Sequence, residues 1–232
     1  RRAINHAIDK DAFLAPVYKG TALKANAPLT AVMLDDPAVK QKAYTFDAAK
    51  AKPLLSEAGW QPGAVGIRSK GGQRLEIVLN AIEYGGGPDP TAQIIQASLH
   101  EVGIDVKIKA QARPPWYEDN YNCVTHGPVM FLRSTDPDGL FALFHSSLVK
   151  GNFNWSCVKN AKLDGLLDQG RREADPAKRR AIYVSIEQLA LEDALTVPLV
   201  DELSVWAFRS GVQAVKYNFN AYPLLGDATL RK

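Results

Sequence analysis

Leu75-Glu76-Ile77-Val78-Leu79 and, after a glycine loop at Gly85-Gly86-Gly87, Asp89-Pro90-Thr91-Ala92-Gln93-Ile94-Ile95-Gln96-Ala97-Ser98-Leu99-His100-Glu101-Val102-Gly103-Ile104-Asp105-Val106-Lys107-Ile108 decide the fold. Leu75, Ile77 and Leu79 recur with period two, the pattern of a strand with one face buried. Asp89 stands as an N-cap with proline at the first helical position, where its missing N–H is not needed. Ala92, Ile95, Leu99 and Val102 then form a helical stripe that Gly103 ends. Ile104, Val106 and Ile108 return to period two. A strand, a helix and a strand of this length predict a parallel pair joined by a right-handed crossover.

Outward toward the N-terminus, Ile4, Ala7 and Ile8 mark a first helix expected to run to Tyr18 and stop at Gly20. Residues 21–43 have no period and read as an extended surface connection. Asp47 reads as the N-cap of a helix whose buried stripe is Ala51, Leu54, Leu55 and Ala58, with Gly59 at its left-handed end. Pro53 fits this helix badly, at about 3 kcal/mol, and predicts a kink or restart. Toward the C-terminus, Pro114-Pro115-Trp116 starts a short helix reaching Tyr121, and Val129-Met130-Phe131-Leu132 reads as a buried strand. Helices follow through Leu140, Leu143 and Phe144, through Leu163, Leu166 and Leu167, and, capped by Asp175-Pro176, through Ile182, Ile186, Leu189 and Ala190. The segment 150–160 is irregular, and strands are expected over 196–200 and 204–208. Alternating strands and helices define an α/β chain.

The 232 residues carry 46% hydrophobic and 23% charged residues, enough apolar material for a sizeable core. The net charge of +3, from 28 basic and 25 acidic residues, argues against a dedicated nucleic-acid surface. Arg171-Arg172 and Lys178-Arg179-Arg180 lie among acids on expected helices and read as solvated faces. No run approaches the roughly 20 apolar residues of a membrane span. Asn5, His6 and Asp9 interrupt any signal-peptide core, which leaves the compartment open for a chain cut from a longer protein. Cys123 and Cys157 are the only cysteines; one disulfide and two half-buried free thiols are both compatible with the sequence, and no C-x-x-C or other metal spacing exists.

Arg1-Arg2-Ala3-Ile4-Asn5-His6-Ala7-Ile8-Asp9-Lys10, and after it Tyr44-Thr45-Phe46-Asp47 through Leu54-Leu55-Ser56-Glu57-Ala58-Gly59-Trp60, resemble two signatures of the peptide- and nickel-binding solute-binding proteins of ABC importers, family 5. Further motifs follow in the family's order: Ala92 to Val106, the aspartate–proline step Asp136-Pro137-Asp138, Leu163 to Asp168, Asp175 to Tyr183, and Glu192 to Leu199. Each is weak alone, and the ordered set is strong. The resemblance implies a type II periplasmic-binding-protein-like lobe, a mixed sheet flanked by helices, belonging to a two-lobed clamp closed by a hinge. Residues 1–199 would form the C-terminal ligand-binding lobe, and 200–232 would return to an N-terminal lobe outside this chain. The implied role is capture of a peptide or similar small solute in the periplasm and delivery to membrane permease subunits, by a monomer, without chemistry, cofactor, metal or nucleic acid.

The same resemblance supplies candidate ligand contacts. Asp136 matches the aspartate of the family's D-P step, not clearly the one that pairs with a peptide amine. Arg133 stands where peptide binders carry small or aromatic residues; it can pair with a carboxylate or phosphate, or form a surface or interlobe salt bridge. Trp116 lies near a family tryptophan that lines the cavity, with core packing as the alternative. Asn154 and Trp155 fall in the irregular segment that borders the cleft in relatives. Asp201 and Glu202 face either the cleft or solvent, and His126 and His145 read as structural or exposed. The alternatives are a non-transport binding module on the same fold and a hydrolase, which rests on Cys123, His126 and Asp136 as a nucleophile, base and orienting acid. No G-x-S-x-G elbow is present, and the glycine loop lacks the lysine of a P-loop.

Overall fold

The computed structural model describes residues 1–84, 87–128, 134–218 and 221–231. The chain opens with α1 (Arg2–Ala7), which ends sooner than its periodicity predicts. Ile8 leaves the helix with φ −93° and ψ 116°, the Asp9 carboxylate accepts the Asp11 N–H at 2.9 Å, and helix resumes as α2 (Asp11–Phe13) and a wider π-turn over Leu14–Tyr18. Packing explains the break. Ile8 and Phe13 are both buried in one core, yet residues five apart lie roughly 140° apart around a continuous helix.

Residues 21–43 also depart from expectation, because they are not a surface connection. They contain β1 (Ala22–Lys24) and α3 (Pro37–Lys40), capped by Asp36, and they bury Ala25, Ala27, Leu29, Leu34 and Val39. No period is visible because the segment passes from one core to another and offers side chains to each in turn.

Next comes α4 (Ala48–Glu57), whose first turn is capped as predicted: Asp47 accepts the Lys50 N–H at 2.8 Å. Ala51 and Leu55 are buried, Ala58 is exposed just past the helix, and the α-helix continues through Pro53 without restarting. A hairpin of β2 (Ser69–Lys70) and β3 (Gln73–Arg74) leads into β4 (Glu76–Tyr84). After β5 (Gly87–Pro88), α5 (Pro90–His100) crosses to β6 (Asp105–Gln111). The predicted parallel pair forms in register from Glu76↔Asp105 to Ile82↔Gln111. Gly103 makes the return with φ +92°, and a Cβ there would meet the Arg68 side chain at 2.8 Å, so glycine is required twice over.

Helix α6 (Arg113–Tyr121) is followed by β7 (Gly127–Pro128), which adds in parallel to β4; the antiparallel pairing of β5 with β4 makes the sheet mixed. The expected strand 129–132 lies outside the described residues. Then come α7 (Gly139–Phe144), a 3₁₀ turn at Ser146–Leu148, irregular chain to Asn160, α8 (Ala161–Arg172) and α9 (Pro176–Glu192). Asn160 and Asp175 cap the last two. Finally β8 (Val200–Glu202) pairs antiparallel with β1. The strands expected over 196–200 and 204–208 reduce to this one ladder, since a strand forms only where another edge receives its hydrogen bonds. Beyond it, two-residue ladders join 212–213 to 229–230 and 216–217 to 223–224.

Two main cores result. One packs α1, α4 and α5 on the sheet through Ala7, Phe13, Leu55, Leu99 and Val106. The other packs α7, α8 and α9 through Leu140, Phe144, Leu163, Leu167, Tyr183 and Ile186. The segment 25–31 between them is held by ionisable side chains acting on its backbone. Lys10 donates to the Ala25 carbonyl at 3.0 Å, and Glu187 accepts the Leu29 N–H at 2.8 Å. The Asp201 carboxylate faces the Ala31 N–H, which partly offsets its burial. Burial lowers Lys10 to about 8 and raises Glu187 to about 7; it also raises Asp201.

Candidate ligand-binding wall

Three of the five expected contact residues meet. Trp116, on the buried face of α6, lies edge-on to Trp155 with ring centroids 5.1 Å apart. Pro114 and Pro115 occupy the first turn of α6, where a missing N–H is tolerated, so Trp116 is presented one turn into a firm helix start. Asn154 adjoins Trp155 in the irregular loop after α7. Trp116, Trp155 and Asn154 are 3%, 7% and 0% exposed, so these three back the wall and other residues form its surface.

Those other residues are Tyr117 and Tyr121, stacked at 5.8 Å along α6, and Phe153, which packs on both Tyr121 and Trp155. Tyr117 and Tyr121 are half-buried, and Phe153 is exposed. The sequence offered a signal for the tyrosines in their i, i+4 spacing on α6. Phe153 had none beyond its place beside Asn154 and Trp155.

Hydrogen bonds fix α6 to the sheet. The Asn80 side chain, buried in β4, donates to the Trp116 carbonyl at 3.2 Å and to Asn120 Oδ1 at 2.9 Å, and it accepts from Gln111 at 2.9 Å. The Trp116 indole N–H donates to the Asn80 carbonyl at 3.3 Å. Lys109 and Gln111 both bind the Asp119 carboxylate and hold it below the usual carboxylate range, Lys109 foremost. Asn154 spends its side chain on its own loop. Its amide donates to the carbonyls of His145 and Val158, each at 3.0 Å, and its oxygen accepts from Ser156 at 2.8 Å. The Trp155 indole N–H is buried without a partner.

Cys123 and Cys157 form a disulfide, with Cα atoms 6.2 Å apart, which joins the end of α6 to the end of the 152–157 loop. Of the two possibilities the sequence left open, the bridge is the one realised. It also removes the nucleophile on which the Cys–His–Asp hydrolase reading depended, because a disulfide sulfur carries no thiolate. His126 instead accepts the Val78 N–H at 2.9 Å, and His145 stacks on Phe141 at 4.2 Å. Among the described residues, no group of three His, Cys, Asp or Glu side chains is placed to hold a metal.

Asp136 is engaged away from this wall. Both its oxygens bind the Arg179 guanidinium, at 3.0 and 2.6 Å, and Oδ1 also accepts the Asp138 N–H at 2.7 Å. The Arg179 bonds hold its carboxyl below the usual range. Arg133 lies outside the described residues, as do Gly85 and Gly86 of the glycine loop. Asp201 is half-buried against the 25–31 segment, and Glu202 is exposed. Arg171 pairs with Asp138 at 3.3 Å, Arg172 with Asp168 at 3.8 Å and Arg180 with Asp36 at 3.3 Å, in keeping with the solvated faces expected of these basic runs.

Comparison with known proteins agrees with this architecture. Residues 1–152 match the family model described as bacterial extracellular solute-binding proteins, family 5 middle. Protein XP55 of Streptomyces lividans is 32% identical over 197 residues, 83% of this chain and 35% of its own length. The oligopeptide-binding protein AppA of Bacillus subtilis (strain 168) is 27% identical over 228 residues, 94% of this chain and 41% of its own. The chain therefore spans well under half the length of these curated relatives. Among solved structures, AppA in complex with a nonapeptide superposes with a TM-score of 0.81 at 24% identity, covering 100% of this chain and 47% of that one. NikA from Brucella suis in complex with Fe(III)-EDTA gives 0.79 at 28% identity, covering 99% and 47%. The fold is the α/β fold of a type II periplasmic binding protein, and the chain belongs to family 5 of the bacterial extracellular solute-binding proteins.

Proposed function

We propose that this chain is the larger part of the C-terminal lobe of an ABC-importer substrate-binding protein, which captures a peptide or similar small solute outside the cytoplasm, in the periplasm where there is one, and hands it to membrane permease subunits. The observation that carries this reading is the family match over the first two-thirds of the chain, together with an aromatic wall on the α/β lobe. Flat, stiff rings suit a cleft that must cover varied solutes, because they lose little conformational freedom on binding. The Cys123–Cys157 bond is in keeping with an oxidising compartment. No helix among the described residues is long and apolar enough to cross a membrane. In this reading the wall of α6 and the 152–157 loop faces the ligand, with Trp116, Asn154 and Trp155 supporting Tyr117, Tyr121 and Phe153. Arg133 supplies a positive charge for an anionic group, and Asp136, with both oxygens on Arg179, shapes the loop between them.

The tail has its own place in the proposal. Val205, Trp206, Phe208, Leu225 and Leu230 are exposed along residues 203–231, and we assign that row to the complementary lobe of the whole protein, which acts as a monomer.

Native mass spectrometry of the full-length protein, followed by release of any bound mass, tests the function. A co-purified peptide or other small solute is the expected result and names the ligand class. An empty protein that also fails to bind a mixed-sequence tetrapeptide pool or a nickel(II)–histidine complex in titration contradicts the reading.

A further inference from the structure

The disulfide sits where the wall is otherwise weakly joined. Its two cysteines both adopt left-handed backbone, φ 57° at Cys123 and φ 55° at Cys157, a conformation uncommon for residues other than glycine. The bond spans 34 residues and encloses Arg133, Asp136, Asn154 and Trp155, four of the five expected contacts. Trp116 and Trp155 differ in how they are held. The Trp116 indole is hydrogen-bonded to the sheet, whereas the Trp155 indole N–H has no partner, so the angle of its ring depends on packing and on the backbone of its loop. Asn154 cannot tie that loop to α6, because its hydrogen bonds go to His145, Ser156 and Val158. Besides ring contacts, the links from loop to helix among the described residues are one hydrogen bond, from the Gly151 N–H to the Tyr121 carbonyl at 2.9 Å, and the disulfide.

We propose that the Cys123–Cys157 disulfide is a positioning element for ligand binding, which sets the 152–157 loop against α6 so that Phe153 and Tyr121, backed by Trp155, present one fixed aromatic face. The inference rests on the reading that this wall faces the ligand. Both cysteines are half-buried, so a small dithiol reaches them. Reduction by a dithiol transfers two electrons and two protons, yielding two protein thiols and the oxidised cyclic reductant. The wall then loosens while both cores, which share no atom with the bridge, stay packed.

The test uses the full-length protein in three forms: oxidised, reduced with dithiothreitol, and Cys123→Ser/Cys157→Ser. Each is titrated with a mixed-sequence tetrapeptide pool, and thermal unfolding and far-ultraviolet circular dichroism are recorded alongside. The expected result is binding at least fivefold weaker in the reduced and double-serine forms with the dichroism unchanged. A bridge that only stabilises lowers the unfolding midpoint and leaves the dissociation constant alone; that result overturns the proposal, as does global unfolding of the native protein on reduction. If the oxidised protein binds no tetrapeptide, the peptide reading fails separately and hydrogen exchange decides the inference. Faster exchange on reduction confined to residues 113–124 and 148–158 supports it, and unchanged or uniformly faster exchange overturns it.

Discussion

The body of the chain, through residue 202, and its tail, 203–231, solve the same packing problem with opposite results. In the body, Leu163, Leu167 and Ile186 are wholly buried, and even Glu187 and Lys10 are taken out of water to hold backbone groups. In the tail, Val205 is 66% and Trp206 is 43% exposed, and the indole N–H of Trp206 reaches only across its own segment, to the Ala221 carbonyl. Composition does not separate the two regions, since both are rich in Val, Leu and aromatic residues. What differs is access to a second layer. The helices of the body cover one another and the sheet, while among the described residues no core cluster includes the paired two-residue ladders of the tail.

The largest effect that tests this contrast is a core truncation. In the chain as it stands, Leu167→Ala is expected to lower the unfolding free energy by about 2–5 kcal/mol, and Val205→Ser to change it by less than about 0.5 kcal/mol. Urea denaturation of both variants measures the difference, and an equal loss from Val205→Ser erases the contrast. Next comes the charge the body buries. Glu187 titrates near 7 when folded against an ordinary 4.5, so folding favours its protonated form. The associated stability is present in full below pH 4.5 and lost as pH rises through 7, amounting to about 3 kcal/mol for a group so buried. Glu187→Gln should flatten that decline in melts between pH 5 and 8; an unaltered pH profile assigns the slope to other groups. Third, in the full-length protein Arg133→Ala should weaken binding of the tetrapeptide pool at least tenfold, about 1.4 kcal/mol, whereas an unchanged dissociation constant returns Arg133 to a surface ion pair. The smallest effect belongs to the Asp136–Arg179 pair at the body's surface. Asp136→Asn should remove about 1 kcal/mol or less of stability and leave ligand affinity as it was, and a tenfold fall in affinity makes Asp136 a direct contact.

Legibility followed the same division. Elements whose partners are near in sequence could be read: the crossover from β4 through α5 to β6, and the caps at Asp47, Asp89 and Asp175, all depend on residues within a few turns of one another. The break after α1 was hidden because Ile4, Ala7 and Ile8 fit a helical pattern, and only the shared core of Ile8 and Phe13 shows that the helix cannot run on. Residues 21–43 looked like loop because their partners, β8 and α9, come some 150 or more positions later. At the wall, Trp116 and Trp155 stood out by residue type and resemblance. Asn80, which locks α6 to β4, had no signal beyond a polar residue in a strand, and the disulfide needed a distance that spacing alone does not supply.

The pairing of β1 with β8 has a consequence for the order in which the molecule can be made. The Asn5 side chain donates to the Thr196 carbonyl at 3.2 Å, the Ala25 N–H to Leu199 at 3.2 Å and the Leu203 N–H to Thr21 at 2.8 Å, so this early strand is completed by a segment that follows it much later in the chain. The βαβ unit and the α8–α9 pair can each form as soon as they emerge, but β1 waits, with Ala22 and its edge uncovered, until residue 203 is available. Any cell that makes this chain must keep that edge from pairing elsewhere in the interval, which favours holding β1 unpaired until β8 follows.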